Sequence, residues 1–416
     1  MNEYDWYGLD NTAKIFPAIS GPHTTGVYRI DLRLNEPVTP DLLEKAVNTV
    51  LPSFPAFMVR LRQGLFWYYF EHNFEKALVG EEKGYPTNRI DADANNGYLF
   101  RFSYFGKKIN LDVFHALSDG AGAMNFLIAV AGCYLRLCGK PLDDVSDNTE
   151  DTQSYPAMQD SFAHYFSSVQ AEKTKRVKAY HIRGTSRPLG SVKVIHGVLE
   201  TDSLKALTKS KNVTITAYLA AVLAFSILET MPGRKSAHPI RLSVPINLRR
   251  FFESKTQRNF FAFIYIDIEV KQNGYTFDEL LQLVSEQMTT RTKPEYFAPK
   301  VSYYLQAEKN IVARLTPLMI KNFALRMIYR QIGEKTYTCT LSNLGEIKVM
   351  PQVSEYIERF DAMLGNSRIN HLSCAVCSCK NQLVVSFAKS VYETDVEKYF
   401  FRFLSGQGLK IILEQN

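Results

Sequence analysis

The residues best suited to chemistry lie in one segment, Asp112-Val113-Phe114-His115-Ala116-Leu117-Ser118-Asp119-Gly120-Ala121-Gly122-Ala123. A strand-like run delivers His115 at its end, and Asp119 and Gly120 follow as a helix begins. An imidazole titrating near ~6.5 is suited to taking a proton from a nucleophile near neutral pH. The Asp119 carboxylate can fold back to hold the turn or reach a cation elsewhere, and Gly120 and Gly122 are expected to let the backbone turn tightly into the helix. With 8 His and 22 Gly in the chain, His-x-x-x-Asp-Gly would arise by chance about 0.02 times, so the match carries information. The residues alone also allow a plain alternative, a strand-end His followed by an Asp that only caps a helix.

A second constellation, His371-x-x-Cys374-x-x-Cys377-x-Cys379, offers four zinc-type ligands within nine residues. Its surroundings argue otherwise. Residues 372–379 and 383–387 alternate as the two arms of a hairpin. On a strand Cys377 and Cys379 share one face while Cys374 points to the other. The four ligands cannot then converge, and no metal site is expected. Cys133 and Cys138 fall in an apolar helical stretch and read as packing residues.

The elements that must position the His segment can be read from periodicity. Residues 27–34 alternate as a half-buried strand. Thr39-Pro40-Asp41 opens a helix with an apolar stripe from Leu42 to Leu51. Strands are expected at 58–62 and 65–70 around Gln63-Gly64, and a hairpin at 99–105 and 109–114. A helix is expected over 120–137. Residues 139–191 are charge-rich and apolar-poor, with Asp143, Asp144, Asp147, Glu150 and Asp151 followed by Lys173, Lys175, Arg176 and Lys178. They read as a partly helical linker, with the boundary near 185. A second half then begins with a strand at 192–199. Helices are expected at 202–211, 214–229, 277–291, 313–332 and 393–404. Further strands are expected at 239–245, 260–270, 337–341, 372–379 and 383–387. This mixture defines an α/β protein divided at 1–185 and 186–416.

Length and composition agree with that division. The 416 residues make two halves of about 208, each able to bury a core. A net charge of +7 allows an anionic ligand but is too weak and dispersed to argue for nucleic acid. No export signal is read in Met1–Asp5, and the longest apolar run, 217–228, is about 12 residues against the ~20 of a membrane span. Six cysteines in so long a chain do not make a disulfide framework, so a cytoplasmic location with reduced thiols is expected.

Phe114-His115-Ala116-Leu117-Ser118-Asp119-Gly120 resembles the His-His-x-x-x-Asp-Gly signature of the acyltransferase superfamily of chloramphenicol acetyltransferase, nonribosomal-peptide condensation domains, BAHD acyltransferases and alcohol acetyltransferases. Phe114 replaces the first His, and the second is usually the catalytic one. Residues 9–17, Val244-Pro245-Ile246-Asn247-Leu248-Arg249-Arg250, Arg258-Asn259-Phe260-Phe261 and Leu341-Ser342-Asn343-Leu344-Gly345 are similar to segments of bacterial alcohol acetyltransferase-like proteins. The BAHD Asp-Phe-Gly-Trp-Gly motif is absent.

The resemblance implies two similar α/β halves forming a V, with His115 in a channel between them. It implies direct acyl transfer. His115 would present Nε2 as a general base, and an acyl-CoA thioester would be the co-substrate, with no bound cofactor. The acceptor would be a small alcohol or amine. It also implies that Asp119 pairs with an Arg, for which Arg249 is the first candidate and Arg241 the second. Ser342 or Asn343, on a turn after a late strand, would donate to the oxyanion. Two alternatives stay open: an acyl carrier protein as donor, and a non-catalytic binding protein of the same fold.

Overall fold

The computed structural model describes residues 6–142, 158–173, 177–308, 310–365 and 367–416. Met1–Asp5, the acidic run 143–151 and the basic pair Lys175-Arg176 lie outside the described residues.

Along the first part of the chain run β1 (Trp6–Gly8), α1 (Ile15–Ile19), β2 (Val27–Leu34), α2 (Pro40–Val50), β3 (Val59–Gln63), β4 (Tyr68–His72), β5 (Val79–Glu81), β6 (Phe100–Phe105), β7 (Lys108–Phe114), α3 (Gly120–Leu137) and α4 (Ser161–Phe166). The second part continues with β8 (Lys193–Glu200), α5 (Thr201–Ser210), α6 (Ile215–Thr230), β9 (Ile240–Asn247), β10 (Phe261–Ile268), α7 (Phe277–Arg291), α8 (Pro294–Glu308), α9 (Ile311–Leu315) and α10 (Leu318–Ile328). It closes with β11 (Cys339–Glu346), α11 (Pro351–Ser354), β12 (Ile357–Met363), β13 (Leu372–Cys379), β14 (Gln382–Lys389), α12 (Asp395–Gly406) and β15 (Ile411–Gln415). The chain is α/β, as the alternation of patterns implies.

The strands form three sheets, ordered β1-β4-β3, β12-β2-β7-β6-β5 and β10-β9-β11-β13-β14-β8-β15. The five-stranded sheet packs on α2 and α3 around a core that includes Ile30, Leu111, Phe126 and Leu127. The seven-stranded sheet packs on α5, α6, α7 and α12 around Leu242, Ile264, Val385 and Phe400. Helix α6 is apolar on all sides and is accordingly buried. Helix α3 has 18 residues and enough apolar character for a membrane span. Its length instead fills the first core, with Ala123, Phe126, Leu127 and Val130 wholly enclosed.

Strand β13 works for both cores. Cys374 faces the second core, while Cys377 and Cys379 face the first. Alternation therefore separates these thiols, and His371 turns to Ser390, with Nδ1 2.9 Å from Oγ. All six cysteines are free thiols.

Several elements depart from expectation. Strand β12, late in the chain, pairs antiparallel with β2 in the first sheet, with Ala362 opposite Ile30. Nothing in its local pattern marks that partner, since pairing across more than 300 residues is a tertiary choice. The helix expected over 313–332 is divided at Thr316-Pro317 into α9 and α10, because proline lacks the N–H that would continue it. The strand expected at 337–341 runs on to Glu346, with a bulge between Asn343 and Glu346. Ser342 and Asn343 thus lie on the strand and not on a turn after it. Within the linker, α4 packs Phe162 and Phe166 against Phe260 and Phe297 of the second half.

Candidate active site

His115 sits one residue beyond β7, and its backbone N–H donates to Gly26 O at 2.8 Å. Its ring is half-buried. Phe16 stacks on it at 4.8 Å with the planes 1° apart, and Tyr28 and Phe261 close in at 4.8 and 5.3 Å. These apolar walls burden the charged imidazolium. Burial pulls the pKa below the ordinary 6.5, against opposing contributions from Asp119 and Asn259. The imidazole is therefore neutral at neutral pH.

Its tautomer follows from a hydrogen-bond chain. Asn259 Nδ2 donates to Asp10 Oδ2 at 3.2 Å and to His115 O at 3.0 Å. Reversing that amide would set its oxygen against two acceptors, so Oδ1 is the atom that faces His115 Nδ1, at 3.3 Å. An amide oxygen only accepts, so Nδ1 carries the hydrogen and Nε2 keeps its lone pair. Asp10 is buried and also accepts from Ala13 N at 2.8 Å. Burial pushes its carboxyl up to about 6, although Arg258 and its hydrogen bonds oppose the rise.

Asp119 caps α3, accepting from Gly122 N through Oδ1 at 3.0 Å. Its Oδ2 accepts from Arg249 Nη1 at 2.7 Å and from Phe260 N at 2.8 Å. One carboxylate thus joins the helix after His115 to the second half of the chain. Arg249 extends the junction, donating to Thr256 O at 2.9 Å and Arg258 O at 2.6 Å. Arg241, the second candidate, instead meets Asp267 at 3.1 Å and lies over Tyr265. Ser118 Oγ donates to Gln257 O at 2.5 Å.

The two glycines act differently from expectation. Neither has a positive φ, so neither is needed for a left-handed turn. A Cβ on Gly122 would stand 2.2 Å from Ser118 Oγ and 2.3 Å from Gln257 O, so Gly122 is required for close packing of the 257 backbone on the helix. Gly120 faces only the flexible end of Leu344, at 2.7 Å.

The site opens into a cavity of about 1240 Å³ whose walls include His115, Tyr28, Phe16, Asn247, Ser342 and Asn343. Its opening has a cause in the seven-stranded sheet. Strands β9 and β11 pair where Cys339 meets Leu242 and Thr340 meets Ser243. Beyond that point β9 follows β10 to Asn247 while β11 follows β13 to Glu346. The two strands splay, and the gap carries Ser243, Pro245 and Asn247 on one side and Ser342 and Leu344 on the other. Asn343 is tied down: its Nδ2 donates to Thr216 Oγ1 at 2.9 Å and its Oδ1 accepts from Gly345 N at 2.8 Å.

The linkage of Asp10 and Asn259 to His115 escaped sequence reasoning. Both lie in segments marked by resemblance, yet 249 and 144 residues separate each from its partner in the chain, and no spacing rule joins them.

No family model matches the chain, and no curated protein matches it. Solved structures do. Polyketide synthase associated protein 5 from Mycobacterium tuberculosis is 13% identical, with 96% of each chain covered and a TM-score of 0.64. A mutant starter condensation domain of rhizomide synthetase, in complex with C8-CoA and Leu-SNAC, is 14% identical over 96% of this chain and 94% of that one, with a TM-score of 0.57. TRI3 trichothecene 15-O-acetyltransferase from Fusarium sporotrichioides is 11% identical over 95% and 93%, with a TM-score of 0.60. The chain therefore has the two-halved α/β fold, a V about a central channel, that a condensation domain and an O-acetyltransferase share. At these identities the likeness is one of fold.

Proposed function

We propose that the chain is an acyltransferase that moves an acyl group from a CoA thioester to an alcohol or amine, with halves 1–185 and 186–416 enclosing the channel. The observation that carries this reading is His115, held neutral with Nδ1–H on Asn259 and Nε2 free to serve the cavity. The fold shared with an O-acetyltransferase and with a domain holding C8-CoA supports the donor class.

Nε2 takes the proton of the acceptor hydroxyl or amine as its oxygen or nitrogen attacks the thioester carbonyl. The tetrahedral oxyanion accepts a hydrogen bond from Ser342 Oγ, since Asn343 is already committed to Thr216 and Gly345. When the C–S bond breaks, the CoA thiolate takes the proton back from Nε2. A positioned base is worth ~10²–10⁴ in rate, and one oxyanion donor ~2.7–4 kcal/mol. Asp119 and Arg249 hold the His115 loop and touch no reacting atom, and Gly120 supplies no group to the reaction. Six free thiols support a reducing, cytoplasmic setting.

The test is release of free thiol from acetyl- and longer acyl-CoA in the presence of alcohol and amine pools. The native chain is expected to release thiol and His115→Ala to do so at background, with an unchanged melting temperature. Wild-type turnover by the pure variant sinks the assignment. Release from an acylated carrier protein, but from no CoA ester, would move the donor to the carrier.

A further inference from the structure

From Lys309 to Gly333 the sequence holds five basic residues, Lys309, Arg314, Lys321, Arg326 and Arg330, and no Asp or Glu. Within it, Ile311–Leu315 and Leu318–Ile328 form α9 and α10, which bury Leu318 but leave most of their large apolar side chains outside. Ile311, Val312 and Leu315 are exposed, Met319 is 79% exposed and Phe323 69%. A soluble face seldom leaves so much contiguous apolar surface uncovered. Its combination of apolar and basic residues is that of a helix lying in the plane of a membrane surface.

The turn between β3 and β4 continues this surface. Leu65 is 72% exposed, and its carbonyl accepts from Leu318 N at 2.8 Å, seating the turn on the first residue of α10. Lys321 Nζ donates to Phe66 O at 2.9 Å and lies 3.3 Å above the Trp67 ring. Tryptophan beside lysine suits the boundary between headgroups and acyl chains. Two elements from opposite halves of the chain thus form one apolar rim with a basic lining.

That rim is also the edge of the cavity. Trp67, Ile320, Ala324 and Ile328 line the cavity and are themselves exposed to solvent, so the channel opens there. We propose that α9, α10 and the 65–67 turn dock on an anionic lipid bilayer, so that the channel mouth faces the lipid phase. A second copy of the chain on this face would set basic stretch against basic stretch, whereas an anionic leaflet complements the charge of the exposed Arg314, Arg326 and Arg330. The docking needs no catalysis. Resting on the acyl-transfer reading, it makes the acceptor an alkyl-chain alcohol or amine dissolved in the bilayer.

The experiment is flotation of the full chain, without substrates, on vesicles of phosphatidylcholine alone and of phosphatidylcholine with phosphatidylglycerol. Wild type is expected to float with the anionic vesicles and to be released by salt, and His115→Ala to float equally. Met319→Glu/Phe323→Glu, at positions off the cavity wall, should weaken binding about tenfold or more. Arg314→Gln/Arg330→Gln should weaken it by a similar factor. An unchanged melting temperature for each variant separates lost docking from lost folding. The proposal is overturned if wild type stays unbound with anionic vesicles or if the Glu variant floats as well as wild type. It is also overturned if wild type forms a dimer that the Glu variant abolishes, which would make the face a contact between copies. Failure of thiol release with intact flotation would leave docking standing and remove the acyl-transfer reading alone.

Discussion

The two walls of the cavity are built on opposite plans. Around His115 the polar groups interlock: Asp119 serves Gly122, Phe260 and Arg249, and Asn259 serves Asp10 and His115. Across the cavity, β9 and β11 part after Thr340 and Ser243, and side chains face the gap that results. The first wall is a satisfied network that fixes a ring to one orientation. The second is an interrupted ladder that makes room. On the proposed acyl-transfer reading, the first plan suits a base, which loses its proton path if misdirected, and the second suits a substrate channel, which a continuous sheet would fill.

That contrast can be broken by substitution. The largest effect is expected from His115→Ala, a loss of ~10²–10⁴ in thiol release with the fold unchanged. Arg249→Met attacks the junction and not the chemistry. Both partners of that pair are mostly buried, and removing one is expected to cost about 3–5 kcal/mol of stability, read by denaturant unfolding. An unchanged unfolding midpoint would show that the junction carries no load. Ser342→Ala tests the open wall: kcat should fall by ~2.7–4 kcal/mol in barrier with stability near wild type, and equal activity would leave that wall a role in binding alone. Gly122→Ala should overpack Ser118 and Gln257 and cost ~1–3 kcal/mol of stability, with a smaller effect on the channel.

The pH profile sharpens the comparison most gently. Burial lowers the His115 pKa below 6.5, so the neutral base persists into mild acid. The acid limb of kcat should therefore fall below 6.5, with activity rising as pH increases through it. The linked stability has the matching sign. The unfolded His takes up its proton first as pH falls below 6.5, which lowers stability there. A limb at or above the ordinary value would mean that the ring is not walled in as the structure has it.

How much of this was legible varies with the range of the interaction. The hairpin 99–114 and helix 120–137 follow from local alternation and helical spacing, and the structure gives β6, β7 and α3 within a residue or so. The separation of Cys374 from Cys377 and Cys379 follows from period-two geometry alone. The break at Pro317 was legible in principle, since proline lacks the N–H a helix needs. The extension of β11 to Glu346 was not, because Asn343 and Gly345 carry turn chemistry that a bulge absorbed. The crossing of β12 to β2 and the meeting of Asp10, Asn259 and His115 had no local trace.

By itself the sequence determined an α/β chain with a His at a strand end and an Asp capping the next helix, because strand alternation, capping and helix spacing act over a few residues. Only the tertiary structure decided that Arg249 and not Arg241 meets Asp119, that Asn259 sets the tautomer of His115, and that two strands splay to open a channel. Those outcomes depend on which buried polar group finds a partner, and burying a charge or an amide without one is too costly to leave to chance. The partner is chosen by packing across hundreds of residues, where the order of the chain no longer says what is near.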